Sequence, residues 1–205
     1  MASKRSPAKS AKRSARSHRS GRSSSPDAFT LLKSDHREVD AMLKQFEGAR
    51  SGSKRALAER ICTALTVHAQ IEEEIFYPAA REVLRSSDED LIEEATVEHA
   101  TLKNLIGQIQ GAGGDGSDDR YTAKVTVLGE YTKHHVKEEE TELFPKLRKA
   151  RLDANEVGER LARRKSELMA QSGQEESPGA RSGRARAANG MTERVAARLG
   201  ASISK

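Results

Sequence analysis

The segment HAQIEEEIFYP at residues 68–78 returns 67 residues later as HVKEEETELFP at residues 135–145. Both copies contain His-x-x-x-Glu, and in both a proline follows the histidine after ten residues. Residues four apart lie on the same face of a helix, so each copy directs an imidazole and a carboxylate to one side. The repeat therefore predicts two related helices that share a polar face.

The second copy offers two overlapping pairs, because His134 with Glu138 has the same spacing as His135 with Glu139. Only the latter pair keeps the ten-residue distance from histidine to proline that the first copy has. We therefore predict that His135 and Glu139 face inward and that His134 is a surface residue.

Two further helical stripes precede these segments. Apolar residues step by three and four from Phe29 to Phe46 around His36, and a similar stripe runs from Ile92 to Ile109 around His99. Both histidines follow an acidic residue, and they are 63 residues apart. The sequence therefore predicts that the chain contains two copies of one helix pair.

The composition favours a helical bundle. Of 205 residues, 35% are hydrophobic, 3% aromatic and 33% charged, with no Trp, which is too little apolar material for a large sheet-based core. Short connections around 49–53 and 86–88 and a glycine-rich link at 111–119 favour antiparallel neighbours. We predict an all-α, up-and-down four-helix bundle whose first helix is capped by Ser25 before Pro26.

The ends of the chain differ from its middle. Residues 1–25 hold eight Lys and Arg and no acid, so although the whole chain has a net charge of +5, its middle is acidic. We predict a disordered basic tail over 1–25, one bundle domain over 26–150, a short fifth helix over 151–170 and a second disordered tail over 171–205. The first tail suits weak, nonspecific contact with nucleic acid through phosphates, but it lacks aromatic residues for base stacking.

Other sequence features indicate a cytoplasmic location. The single cysteine, Cys62, cannot form an internal disulfide, and no apolar segment typical of secretion stands near the N-terminus. No stretch approaches the roughly 18 apolar residues of a membrane span.

The inward faces of the four predicted helices would bring four imidazoles and two carboxylates together in the core. An unpaired carboxylate there costs several kcal/mol, and two of them would repel each other. Two divalent ions, bridged by the glutamates and each completed by two imidazoles, resolve both problems. Such ligands suit iron and are shared with manganese and zinc. The predicted metal residues are His36, His68, Glu72, His99, His135 and Glu139.

Three segments carry a resemblance to a known family: HAQIEEEIFYP, VEHATLK at 97–103 and HHVKEEETELFP at 134–145. Over roughly residues 27–150 the chain resembles bacterial hemerythrin-like proteins with an HHE cation-binding domain. The resemblance implies that the same six residues hold two bridged, non-haem iron ions. It also implies reversible binding of dioxygen or nitric oxide, or chemistry on peroxide.

One position departs from the oxygen-carrying hemerythrins, which place another histidine one turn after the third ligand. That position is Lys103. Either both metals are more nearly equivalent and open, or a carboxylate such as Glu73, Glu98 or Glu140 takes the place of the histidine. The departure favours sensing, oxidase or peroxidase roles over oxygen carriage.

Three functions follow as hypotheses. The first is a sensor, scavenger or buffer of a diatomic gas or peroxide, and the second is a di-iron peroxidase or oxidase. The third is a nucleic-acid-associated protein that sequesters iron.

Overall fold

The computed structural model describes residues 25–113, 116 and 118–175, and no strand occurs among them. Two segments of π-helix interrupt the α-helices, the first at Glu72–Phe76 and the second at Glu139–Leu143. The α-helices are α1 (Ala28–Gly48), α2 (Ser51–Ile71), α3 (Tyr77–Val83), α4 (Asp90–Gln110), α5 (Asp119–Glu138), α6 (Phe144–Lys149) and α7 (Ala154–Glu175).

Helix α1 begins one residue after Asp27. The Asp27 carboxylate accepts hydrogen bonds from the Thr30 amide at 3.1 Å and from the Thr30 hydroxyl at 2.7 Å. It therefore satisfies an amide that the first turn of the helix leaves free. The prediction that Ser25 caps this helix is wrong, since Asp27 is better placed to reach that amide.

Four long helices close into a ring. Helix α1 packs against α2 and α5, and α4 packs against the same two helices. Helices α2 and α5 continue through the two π segments into α3 and α6. This arrangement confirms the predicted up-and-down four-helix bundle.

The core consists of two apolar clusters, one towards each end of the bundle. One contains Phe29, Phe76 and Phe144, and the other contains residues such as Leu43 and Leu128. In α1 and α4 the predicted metal histidines, His36 and His99, lie between residues of the first cluster and residues of the second. The polar residues thus form a layer inside the bundle, enclosed by apolar side chains.

Helix α7 lies outside this ring, against α1 and α2. It is 22 residues long, which confirms a fifth helix beside the bundle, although the helix ends at Glu175 and not at residue 170. Val157, Leu161 and Leu168 form one buried stripe that packs on the bundle. It continues through 171–175, the start of the second predicted tail, whereas 1–24 and 176–205 lie outside the described residues.

None of the helices in the described ranges combines the length and apolar character that a bilayer span requires.

Candidate metal centre

Four histidines meet in the polar layer, one from each long helix. The Nε2 atoms of His36 and His68 are 3.1 Å apart, and those of His99 and His135 are also 3.1 Å apart. All four side chains are buried. The inward nitrogens therefore form two pairs, one on each side of the bundle axis.

Two buried glutamates join these pairs. Glu72 Oε2 lies 3.2 Å from His68 Nε2 and 3.4 Å from His99 Nε2. Glu139 Oε2 lies 3.5 Å from His36 Nε2 and 3.7 Å from the Nε2 atom of His135. Each carboxylate thus faces one histidine of each pair, which is the arrangement that a bridging ligand requires.

Both glutamates stand at the first residue of a π segment. The amide of Tyr77 donates to the Glu72 carbonyl, and the amide of Phe144 donates to the Glu139 carbonyl, each across five residues. Pro78 and Pro145 follow directly. A proline inside a helix has no amide to donate and clashes with the carbonyl four residues earlier, so a wider turn accommodates it. The repeated proline thus accounts for the position of each π segment.

A second ring of acidic groups surrounds the histidines. The Nδ1 atoms of His36 and His135 lie 2.8 Å from Glu140 and Glu98, and His99 Nδ1 lies 3.1 Å from Glu73. His68 Nδ1 is 3.6 Å from the fourth acid, Asp35. We call Asp35, Glu73, Glu98 and Glu140 the outer carboxylates. An acid behind a histidine fixes its tautomer and its ring orientation, which leaves Nε2 for a ligand role.

Lys103 contributes to this outer ring. Its ammonium lies 2.5 and 2.6 Å from the two oxygens of Glu73, and Glu73 in turn contacts the Nδ1 atom of His99. Glu73, Glu98 and Glu140 all contact outward-facing nitrogens, although sequence reasoning offered them as replacements for the missing histidine. In the structure, therefore, they do not take that inner position.

Tyr77 is a buried residue beside the centre that the predicted set of metal residues does not include. Its hydroxyl donates to Glu139 Oε1 at 3.1 Å and lies 3.3 Å from His99 Nε2. The corresponding residue in the second copy of the repeat is Phe144, which has no hydroxyl. This difference between the copies was the signal that could have identified Tyr77.

The pKa values of the two buried glutamates shift in opposite directions. Burial and the neighbouring Glu139 charge raise the pKa of Glu72 well above its usual value. Burial alone would also raise the pKa of Glu139, but His135 and His36 outweigh it and lower that pKa. Two negative carboxylates are therefore unfavourable in this layer unless a cation is present.

The histidines also differ from one another. Burial lowers the pKa of His68 to about 4, so this imidazole is neutral at physiological pH. Burial acts in the same direction on His36 and His135, but nearby carboxylates, above all Glu139, raise the pKa of both. A neutral imidazole is the form that ligates a metal.

The chemistry of the inward residues suits a bound metal ion. Both oxygens of Glu72 and Oε2 of Glu139 are buried and have no hydrogen-bond partner. Buried polar atoms without partners are rare in folded proteins and call for an explanation, such as a bound ion. The inward atoms of the six predicted residues fall into two groups within 4.8 Å, which share Glu72: His36, His68, Glu72 and Glu139, and Glu72, His99 and His135.

The alternative pair in the second copy of the repeat, His134 with Glu138, does not face the centre. The His134 side chain is 60% exposed, whereas those of His135 and Glu139 are each 2% exposed. His134 and Glu138 approach each other on the surface, with Nε2 and Oε1 separated by 3.2 Å.

A small cavity and a wider cleft lie beside the centre. The cavity, of about 10 Å³, is lined by all four buried histidines together with apolar residues such as Leu65 and Val136. The cleft, of about 280 Å³, shares His36, Thr132 and Val136 with the cavity and is also lined by Lys133 and Lys137. The cleft connects the surface to the edge of the centre.

Fold and site together define a helical-bundle protein with a buried histidine and glutamate centre suited to cations. Residues 27–147 match the family model described as "Hemerythrin HHE cation binding domain", and the chain belongs to this family. Helix α7 lies beyond the matched residues.

One similar structure supports the fold. It is the crystal structure of a hemerythrin HHE cation binding domain-containing protein from Mycobacterium kansasii, with 20% sequence identity and a TM-score of 0.64. The similarity covers 77% of this chain and 96% of that one.

A curated relative is described as a DNA nickase from Nostoc sp. strain PCC 7120. It is 27% identical over 119 residues, which are 58% of this chain and 32% of the relative. The chain thus matches about a third of the length of that protein.

Proposed function

We propose that the chain holds two bridged iron ions and binds a diatomic gas or peroxide as a sensor, scavenger or buffer. The proposed ligands are His36, His68, Glu72, His99, His135 and Glu139. Non-haem iron on such ligands supplies open coordination positions and accessible redox states, which is the chemistry that dioxygen, nitric oxide and peroxide need.

One observation carries the proposal: each buried glutamate faces one histidine of each pair, and three of the four oxygens of these glutamates have no hydrogen-bond donor. An ordinary buried ion pair would leave no such oxygens, because unpaired carboxylates are costly. Manganese and zinc share this donor set, and the choice of iron rests on the family.

The surroundings of the centre suit a small ligand. The adjoining cavity has room for about one water-sized molecule and has apolar walls, which suits an uncharged diatomic gas. Tyr77 holds a proton at its hydroxyl, because burial and nearby carboxylates raise its pKa well above the usual value. The hydroxyl can therefore donate a hydrogen bond within the centre. The cleft beside His36 offers a route from solvent.

Anaerobic protein loaded with ferrous iron tests the proposal. Optical spectra should change saturably, with one molecule of dioxygen or nitric oxide per pair of irons, and removal of nitric oxide should restore the starting spectrum. Tyr77→Phe, which removes only the hydroxyl, should retain the iron but alter the rate of ligand release. No spectral response to dioxygen, nitric oxide or peroxide would refute the proposal.

The same samples discriminate an enzyme from a binding protein. A di-iron peroxidase or oxidase would consume peroxide or dioxygen over many turnovers when a reductant is supplied. A binding protein would react once per centre and stop. The departure at Lys103 from the oxygen carriers keeps the enzyme as the alternative.

A second candidate function adds contact with nucleic acid, including the sequestering of iron beside it. The eight basic residues without an acid in 1–25 support it, and so does the likeness to a protein described as a DNA nickase. Retention on duplex DNA should weaken as salt increases, and deletion of residues 1–25 should abolish it. Equal retention by the full and shortened chains would refute the role of the tail.

A further inference from the structure

Each outer carboxylate marks one corner of the ring around the histidines, and the corner at Glu98 differs from the other three. Three outer carboxylates each contact a lysine, in the pairs Glu140–Lys33, Asp35–Lys165 and Glu73–Lys103. Among the ion pairs of the described residues, Glu98 has only histidines as partners, His135 and His134. At the other corners a lysine ammonium faces the carboxylate. At this corner the exposed imidazole of His134 faces Glu98, and Glu138 lies next to that imidazole.

Three side chains converge at this corner from two helices. His134 Nε2 on α5 lies 3.5 Å from Glu98 Oε1 on α4 and 3.2 Å from Glu138 Oε1. These ligand atoms lie within 4.8 Å of one another. We call Glu98, His134 and Glu138 the outer site. One exposed imidazole and two half-buried carboxylates form a donor set for divalent iron, manganese or zinc.

The outer site leaves the centre intact. Glu98 uses Oε2 to hold His135 Nδ1 at 2.8 Å, whereas Oε1 faces His134. A cation at the outer site can therefore bind Oε1 without releasing His135. His134 and Glu138 also repeat, one residue earlier, the spacing of His135 and Glu139, so that α5 presents one such pair outward and one inward.

A small cavity borders both the outer site and the centre. It has a volume of about 10 Å³, enough for about one water or one ion. Its lining includes Glu98 and Glu138 of the outer site, His135 and Glu139 of the centre, and apolar residues such as Leu143. Residues of the two sites therefore face the same small space.

We propose that Glu98, His134 and Glu138 bind a divalent cation at the surface and pass ferrous iron to the buried centre. The surface site stands on its own geometry, whereas the transfer step rests on the proposed di-iron function. A dedicated uptake site explains why this corner lacks a lysine, since an ammonium would occupy the position and repel an arriving cation.

Titration of the iron-loaded full chain with Zn²⁺ alone tests the surface site. Wild type should bind one further Zn²⁺, and His134→Ala should weaken this binding by about tenfold or more, a loss typical of removing a group that supports a metal. Glu142→Ala, an exposed acid outside the site, should bind as wild type does. The site is refuted if His134→Ala and wild type bind Zn²⁺ equally, or if wild type binds none beyond its iron.

Uptake kinetics test the transfer step. Apo protein is mixed anaerobically with limiting ferrous iron, chelator is added at intervals, and the retained iron is counted. His134→Ala should fill several times more slowly than wild type and Glu142→Ala, yet reach the same final content. Equal filling rates would overturn the transfer role. If wild type retains no iron, the proposed di-iron function and the transfer step fail, and weaker Zn²⁺ binding by the His134→Ala chain than by wild type, both without iron, would still support the surface site.

Discussion

The two ring nitrogens of each histidine in the centre face different groups. Nε2 faces the centre, while Nδ1 faces an outer carboxylate that orients the ring. For three of the four, a lysine stands behind that carboxylate. Metal affinity should therefore depend on residues that touch no metal.

Glu73 and Glu74 allow a matched test of this dependence. Glu73 contacts His99 Nδ1, whereas its neighbour Glu74 pairs with Arg164 on α7. Glu73→Ala should lower metal affinity by about tenfold, because His99 loses the group that orients it. Glu74→Ala should leave the affinity unchanged. Competition against a chelator measures both, and equal affinities would show that the outer carboxylates have no part in metal binding.

The six inward residues could be predicted from the sequence because the repeated spacing specifies one face of a helix. Their outer partners could not be predicted, since Glu140 and His36 are 104 residues apart and Lys165 and Asp35 are 130 apart. Such pairs depend on how the helices pack. The role of Tyr77 was missed for a related reason, because only helix packing brings its hydroxyl to Glu139, 62 residues later in the chain.

Among the helical elements, the two π segments have the most direct bearing on the site. Each widens the helix at a glutamate that faces one histidine of each pair. Hydrophobic periodicity did not predict them, although both copies of the repeat have a proline just after the π segment. A π segment that costs helix stability persists where function requires it.

Pro78→Ala tests the link between the π segment and the site. An alanine can donate the missing amide and fits a regular turn, so the apo protein should unfold at the same temperature or higher. Metal affinity should fall because Glu72 loses the widened turn that positions it. Pro26→Ala, before α1, is the control. Lower apo stability with undiminished metal affinity would contradict this account of the segment.

Helix α7 approaches the start of α1 closely at Gly158. A β-carbon there would stand 2.4 Å from the Pro26 carbonyl oxygen and 2.7 Å from the Ala28 nitrogen. Gly158→Ala should therefore reduce the free energy of unfolding by about 1–3 kcal/mol, as in an overpacked core. In α4, Gly107→Ala meets nothing within 4 Å and should raise that free energy by about 0.5–1 kcal/mol. Urea unfolding measures both, and an unaffected Gly158→Ala would mean that α7 does not dock as described.

The end of α7 was predicted at residue 170, whereas the helix continues to Glu175. Its buried stripe of Val157, Leu161 and Leu168 packs the predicted part of the helix on the bundle. The four-helix ring itself was predictable from hydrophobic stripes and short connections, which are local properties of the chain.

At the scale of the whole molecule, a polar layer lies between two apolar clusters. The apolar clusters give the bundle its stability, whereas the layer between them contains two carboxylates that burial disfavours. Metal binding would relieve this cost and couple the stability of the bundle to its occupancy. We therefore propose that the six inward residues, and not their neighbours on the surface, hold the metal.

Iron content per chain tests this claim most directly, measured by elemental analysis after anaerobic loading and removal of weakly bound metal. Wild type should retain two irons, and His135→Ala and Glu139→Ala should retain fewer, since each loses a predicted ligand. His134→Ala and Glu138→Ala, with the same spacing one residue earlier, should still retain two. Unchanged content in the first two variants, or loss in the second two, would contradict the account.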